Sequence, residues 1–464
     1  MKKIVIALSI VVLLVLGSYG VFGFIAKRNF DKGMADLNTQ IPSHIDVTYK
    51  QGLFSSTAQL SLEIPINDNN VDVKQVITTR HTIYHGPFVL HPMQENHPAY
   101  IPVQAYTEGT LHYEFQGSID KNIAQAFKEA STTKITAYIP FIGNPKILFS
   151  GSPLNKEFDV DGDILAIDWQ GFTGSLELQG SMRNFTYDFM APGLTIANDG
   201  PEQLVISAIT SSGVARTGSF DIGLGAYKAA VKHVAIVLSA EPGDTLVLDD
   251  IRVAITADEA EALLTVSEIF DIASLSFNNK TYGPVNTTVH LRNLDAKTLS
   301  TMNREYVTIQ KANSHDPQTM QDQLLTMVTN QAPALLAKSP EFEFENISLK
   351  TANGTGQGRF IIRFNGDGEI VLNPFFLMGR LSADASFGAD ERFLAVLIKD
   401  IAKEAMCDDA TDMACDQRAA EASSNQLQAL VTQKQLMLDN GKYTATVSYK
   451  DGAATLNGQP VPFF

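Results

Sequence analysis

Residues 58–64 read AQLSLEI. Ala58, Leu60, Leu62 and Ile64 alternate with Gln59, Ser61 and Glu63, a period of two that gives a strand one buried and one wet face. The same pattern recurs along the chain. It appears in VITTRHTIY (76–84), LHYEF (111–115), KITAYIPFI (134–142), KEFDVDGDILAIDW (156–169), GSLELQ (174–179) and NFTYDFM (184–190). It continues in KHVAIVLSA (232–240), TLVLDDIRVAITA (245–257), NTTVHLRNL (286–294), RFIIRFNG (359–366), RLSADASF (380–387) and KYTATVSYKDGAATLNGQPV (442–461). Turn chemistry joins them: Asn67-Asp68-Asn69-Asn70, Asp161-Gly162, Asn365-Gly366 and Asp451-Gly452. Many short strands with tight turns predict large antiparallel sheets, a mainly β fold with some α (α+β).

Helical spacing is confined to a few stretches. Lys121–Ala130 is a short one, with Asp120 placed to cap it. Asp295–Lys311 is a second, and Asp316-Pro317 starts a third that runs to about Ala332. Glu391–Met406 puts Phe393, Leu394, Leu397, Ile398 and Ile401 on one face, and Asp416–Leu436 follows as its partner. The chain then closes with a β-hairpin, Lys442–Val461. Cys407 and Cys415 stand in the connection between the last two helices. An even count at close spacing predicts a disulfide clamping a helical hairpin over 389–437, with two free thiols as the alternative.

The chain opens with an uncharged apolar run, Ile4–Ile25, framed by Lys2, Lys3, Lys27 and Arg28. As a helix it is about 33 Å long, enough for a hydrocarbon core of about 30 Å. An uncleaved transmembrane anchor over 1–27 is expected. Cleavage after Ser18-Tyr19-Gly20 is the alternative, but it leaves Val21, Phe22, Phe24 and Ile25 as an apolar new terminus. Flanking charges do not decide orientation. The composition and the cysteine pair favour an exported, N-in/C-out body. A division into a β-rich half 28–270 and an α+β half 271–464 is expected.

The net charge of −16 argues against nucleic acid as a partner. A hydrophobic share of 44% with 19% charged residues suits a globular body rather than a disordered one.

Order along the chain adds a family likeness. The N-terminal run is followed by YKQGLFSSTAQLSLEI (49–64), YHGPF (84–88), YGPVNTTVHLRNLD (282–295) and a closing LNGQPV (456–461). Together these resemble the YdgA-like family of bacterial envelope proteins, catalogued as domain of unknown function 945. The resemblance implies an inner-membrane anchor and a periplasmic β-rich body. It implies no catalytic residues.

Candidate chemistry is sparse. His81, His85, His91 and His97 form the one concentration of imidazoles, but His81 and His85 on one strand are about 13 Å apart, too far to share an ion directly. Asp159-Val160-Asp161-Gly162-Asp163 lacks the Glu that an EF-hand needs at its twelfth position, where Gln170 stands, and reads instead as a hairpin tip. No G-x-S-x-G, H-E-x-x-H, P-loop or G-x-G-x-x-G helix opening is present. No catalytic, cofactor or metal site is therefore assigned. The expected function is a non-enzymatic binding or scaffold protein, with the bilayer as partner through the N-terminal helix and a lipid or envelope protein as client. Apolar runs such as 235–239 and 246–248 bear on lipid or lipoprotein handling, with packing of the domain core or the helices as their ordinary reading. An assembly factor for exported proteins and an envelope hydrolase are the alternatives.

Overall fold

The computed structural model describes residues 18–35, 38, 45–68, 71–87, 89, 103–117, 125, 128, 132–160, 162–180, 183–239, 245–277, 280–313, 316–407 and 413–461. Most of the apolar run, residues 4–17, lies outside them. Among the described residues no helix is long and apolar enough to cross a membrane. Of the short helix expected at Lys121–Ala130, only Gln125 and Lys128 are described, both helical.

The chain divides into two compact units. The first comprises Met1–Thr217 with Asn303–Leu324, the second Gly218–Met302 with Leu325–Phe464. In the first, β1 (Ile45–Lys50), β2 (Ser55–Asp68), β3 (Val71–His85), β4 (Val103–Gly117), β5 (Thr133–Pro140) and β6 (Lys146–Gly151) pair in chain order, all antiparallel. The hairpin β7 (Leu154–Val160) and β8 (Asp163–Trp169) turns aside, so β9 (Phe172–Leu178) takes the next place beside β6. β10 (Phe185–Asn198) pairs with β9 through its first half, with β8 through its second and with β11 (Gln203–Thr217) on its other side. At the tip of β7–β8 the Gly162 N–H donates to Asp159 Oδ1 at 2.9 Å; Asp161, the other half of the expected turn, lies outside the described residues.

Helix α1 occupies 18–35, joining the end of the apolar run to the polar stretch after it. Its Ala26 and Phe30 pack on Ala58, Ile83, Tyr49 and Ile139. Tyr19 is buried edge-on to Phe54, and Phe22 meets Phe141. The last eight residues of the apolar run thus form a helix that lies against the sheet.

In the second unit β12 (Gly223–Val237), β13 (Thr245–Ala260), β14 (Leu263–Phe277), β15 (Lys280–Asp295), β16 (Glu341–Thr351), β17 (Gly354–Phe364) and β18 (Leu381–Asp390) again pair in order. β20 (Lys442–Lys450) joins β18 and carries β19 (Met437–Asp439) and β21 (Ala453–Leu456) on its far side. β22 (Gln459–Val461) pairs with β21. The expected closing hairpin is thus a three-stranded meander, because a second tight turn at Asn457-Gly458 folds the chain again.

Two long helices start with the same device. Asp295 accepts from the Thr298 N–H and hydroxyl at the head of α2 (Ala296–Ala312), and Asp316 does the same with Thr319 at the head of α3 (Pro317–Leu336). α3 runs past the predicted end at Ala332 with Pro333 inside it. A short α4 (Pro374–Arg380) was not anticipated; Asn373 caps it and Pro374 fills its first turn.

α5 (Glu391–Met406) and α6 (Met413–Thr432) form the expected hairpin, with α6 beginning three residues early. Phe393, Leu394 and Leu427 bury against Ala389 of β18 and Tyr443 of β20. Each such side chain contributes on the order of 2 kcal/mol. Lys399 and Lys403 both bind the Asp416 carboxylate, at 2.6 and 3.0 Å. Cys407 and Cys415 lie at disulfide distance, with Cα atoms 6.0 Å apart.

Candidate functional site

Strand register sorts the first unit's side chains into two unlike faces. Ala58, His81, Gly109, Ile135, Phe149, Gly174 and Phe189 are cross-strand partners in one row from β2 to β10. The row beside it holds Ser56, Ile83, Thr107, Ala137, Ile147, Leu176 and Tyr187, apolar from β5 onward except for the tyrosine hydroxyl. Partners in a row share a face, so both rows belong to a single apolar surface. The alternate positions include Gln59, Arg80, Lys134, Ser150 and Thr173, which make a polar stretch of the opposite face. Next to it on that face, Tyr84, Tyr106, Tyr138 and Leu148 belong to a buried cluster.

The apolar face is covered at one end and open further along. Near α1, Ala58 and Ala105 are buried. From β5 to β10, Ile135, Phe149, Phe172, Leu176, Tyr187 and Phe189 are only half-buried. A sheet face sealed by a second layer would bury such side chains almost completely.

Aromatic rings concentrate at this open end. Phe172 stands 6.3 Å from Phe149, 5.6 Å from Phe189 and 6.2 Å from Trp169, centroid to centroid. Glycine makes the patch possible. A Cβ at Gly174 would meet the Phe149 ring at 2.2 Å, and one at Gly151 the Phe172 ring at 2.2 Å. Each phenyl lies across a neighbouring strand at a position that carries no side chain.

Beside the covered end, the fully buried His85 joins three segments. Its Nε2 is 2.9 Å from Ser56 Oγ and its Nδ1 is 3.0 Å from the Leu53 carbonyl. That carbonyl only accepts, so Nδ1 carries a proton. Gly23 of α1 lies against the ring, where an added Cβ would come within 2.7 Å of its Cε1 and Nδ1. His81, four residues earlier, has a buried Nδ1 without a hydrogen-bond partner, and burial lowers its pKa. His91 and His97 lie outside the described residues. Among the described residues no three His, Cys, Asp or Glu side chains converge for a metal ion.

In the second unit the sequence's two apolar runs, 235–239 and 246–248, pair with each other across β12 and β13 and are mostly half-buried. The hairpin α5–α6 covers the row of Leu349, Ala389 and Tyr443. Beyond it Ile347, Phe387 and Val447 remain exposed on the same face. The polar face carries a charged ladder. Glu343 is almost wholly covered by Arg292 and Arg359; Arg363 pairs with Asp384 at 3.1 Å, and Ser448 donates to Asp384 at 3.0 Å. Its neighbour is a Ser267–His290–Glu345 chain with contacts of 2.8 and 2.7 Å. That chain has the residue types of a hydrolytic relay, but the Glu345 side chain is 57% exposed and the three residues lie side by side on adjoining strands. It ties β14, β15 and β16 together. Sequence reading missed it because its members are far apart in the chain and only register unites them.

The architecture is thus that of antiparallel pairing throughout, with a half-buried apolar stretch on one face of the first unit's sheet and a polar stretch on the other. Over residues 1–463 the chain matches the model of a family described as bacterial protein of unknown function (DUF945), and it belongs to that family. No curated protein matches it.

Proposed function

We propose that this chain is a non-enzymatic protein of the bacterial envelope, tethered to the inner membrane with its body in the periplasm. Its client is the acyl part of a lipid or lipoprotein, received on the apolar face of the first unit's sheet. The observation that supports this most is the half-buried aromatic patch of Phe149, Trp169, Phe172 and Phe189. An apolar surface left open to water is costly unless something occupies it. The kind of occupant follows from position: α1 continues the apolar run Ile4–Ile25 and packs on this same face through Ala26 and Phe30. An acyl chain following that helix out of a bilayer would meet the covered end of the face first and the aromatic patch beyond it.

The test is the lipid content of full-length protein purified in mild detergent. Phe149→Glu and Phe189→Glu should lower bound lipid more than tenfold, because burying one phenyl is worth on the order of 2 kcal/mol. Ser150→Glu, on the polar face, should leave it unchanged. Equal lipid content in all three variants and the parent would refute the proposal.

A further inference from the structure

A cleft of about 520 Å³ in the first unit is lined by residues 57–59, 80–82, 108–110 and 134–136. Its polar-face members include Arg80, Lys134, Thr110, Thr82, Thr136 and Glu108, with the Ala58–His81–Gly109–Ile135 row running between them. Register makes Arg80, Thr110 and Lys134 consecutive partners on β3, β4 and β5. The two cations are therefore two interstrand spacings apart, about 10 Å between Cα atoms. Two long side chains close that gap readily around one tetrahedral anion, with the Thr110 hydroxyl beneath it.

The chain carries a net charge of −16. Yet among the described residues neither Arg80 nor Lys134 has a carboxylate within ion-pair distance. The one acid in the cleft, Glu108, stands in the adjacent row between Thr82 and Thr136 and accepts a 2.6 Å hydrogen bond from the Tyr106 hydroxyl. The other polar-face groups named are hydroxyls, and Thr136 among them is buried. His112 Nε2 lies 3.2 Å from Thr110 Oγ1 and holds that hydroxyl from the side.

We infer that Arg80, Lys134 and Thr110 form a binding site for a phosphate group. A guanidinium, an ammonium and a hydroxyl are the donor set that phosphate oxygens take. The phosphate belongs either to a soluble phosphate ester or to a lipid headgroup, which present the same group to the cleft. This inference stands apart from the acyl-chain reading, because it concerns the opposite face of the sheet.

Full-length protein in neutral detergent would be titrated calorimetrically with inorganic phosphate and with glycerol phosphate. In a second arm it would be mixed with vesicles of phosphatidic acid in phosphatidylcholine, and with phosphatidylcholine alone. Arg80→Gln and Lys134→Gln should each weaken phosphate binding about tenfold, equivalent to about 1.4 kcal/mol. Lys350→Gln, outside the cleft, should not. Both variants change exposed side chains, and circular dichroism would verify that the fold is kept. Binding of the soluble esters that falls in both variants supports the site and assigns a soluble ligand. Binding only to phosphatidic acid vesicles, with the same sensitivity, supports the site and assigns a headgroup. No binding of either probe, or binding untouched by both substitutions, overturns the inference.

Discussion

Glu343 shows how single residues hold the second unit's polar face. Its side chain is 4% exposed, and it accepts from Arg292 and Arg359 on the two adjoining strands. Burial alone would raise its pKa, but hydrogen bonds from Arg292 and Arg359 outweigh burial and hold the carboxyl below its usual range. A carboxylate depressed in the folded state contributes stability that is fully present above its unfolded pKa and lost as pH falls through the lower folded value. Glu343→Gln should therefore destabilise the protein at neutral pH by about 2–3 kcal/mol and flatten the acid limb of its stability curve. The value is held below the range for fully buried triads because Arg359 is half exposed. Denaturant melts of both forms at neutral and acid pH check this. An unchanged acid limb in the variant would mean that Glu343 is not the titrating group.

At the scale of elements, the docking of α1 decides where the apolar face begins. Gly23 is its closest approach: an added Cβ would lie 2.7 Å from the His85 ring. That ring cannot yield cheaply, since Ser56 and the Leu53 carbonyl hold both its nitrogens. Gly20, one turn earlier, would meet nothing nearer than Leu53 Cδ1 at 3.9 Å. In an open helix, Gly→Ala stabilises by up to about 1 kcal/mol. Gly20→Ala should follow that rule. Gly23→Ala should reverse it, with overpacking costing about 1–3 kcal/mol. In a His85→Ala background the penalty of Gly23→Ala should vanish. Thermal unfolding of the four proteins in detergent measures the coupling, and additive effects would mean that α1 does not rest on His85.

Elements also show what the amino-acid order reveals by itself. The AQLSLEI alternation lies inside β2, which extends further at both ends because its partner β3 keeps pairing through Pro65 opposite Lys74. Asp295 and Asp316 announce α2 and α3 through the caps they make. By contrast α4 escaped notice: seven residues are too few for a helical period, although Asn373-Pro374 carried the start signal.

At the scale of the whole molecule the proposed acyl and phosphate surfaces are products of register. Phe149, Trp169, Phe172 and Phe189 sit on β6, β8, β9 and β10, and nothing in their spacing joins them until β9 displaces the β7–β8 hairpin beside β6. Arg80, Thr110 and Lys134 come together in the same way. Each strand's inward and outward residues were legible from alternation, but neighbours across the sheet were not. Membership of a bacterial family of unknown function, matched over 1–463, leaves the activity to be read from these surfaces. The central claim is that one face of the first unit's sheet receives acyl chains. Its most direct test places a photo-crosslinking amino acid at Phe172 or Phe189 on the apolar face, and at Thr173 or Asp188 on the polar face, in the full-length protein in living cells. Mass spectrometry then identifies what is attached. The account predicts lipid adducts at Phe172 and Phe189 and none at Thr173 and Asp188. Lipid adducts equal on both faces, or only protein adducts at Phe172 and Phe189, would contradict it.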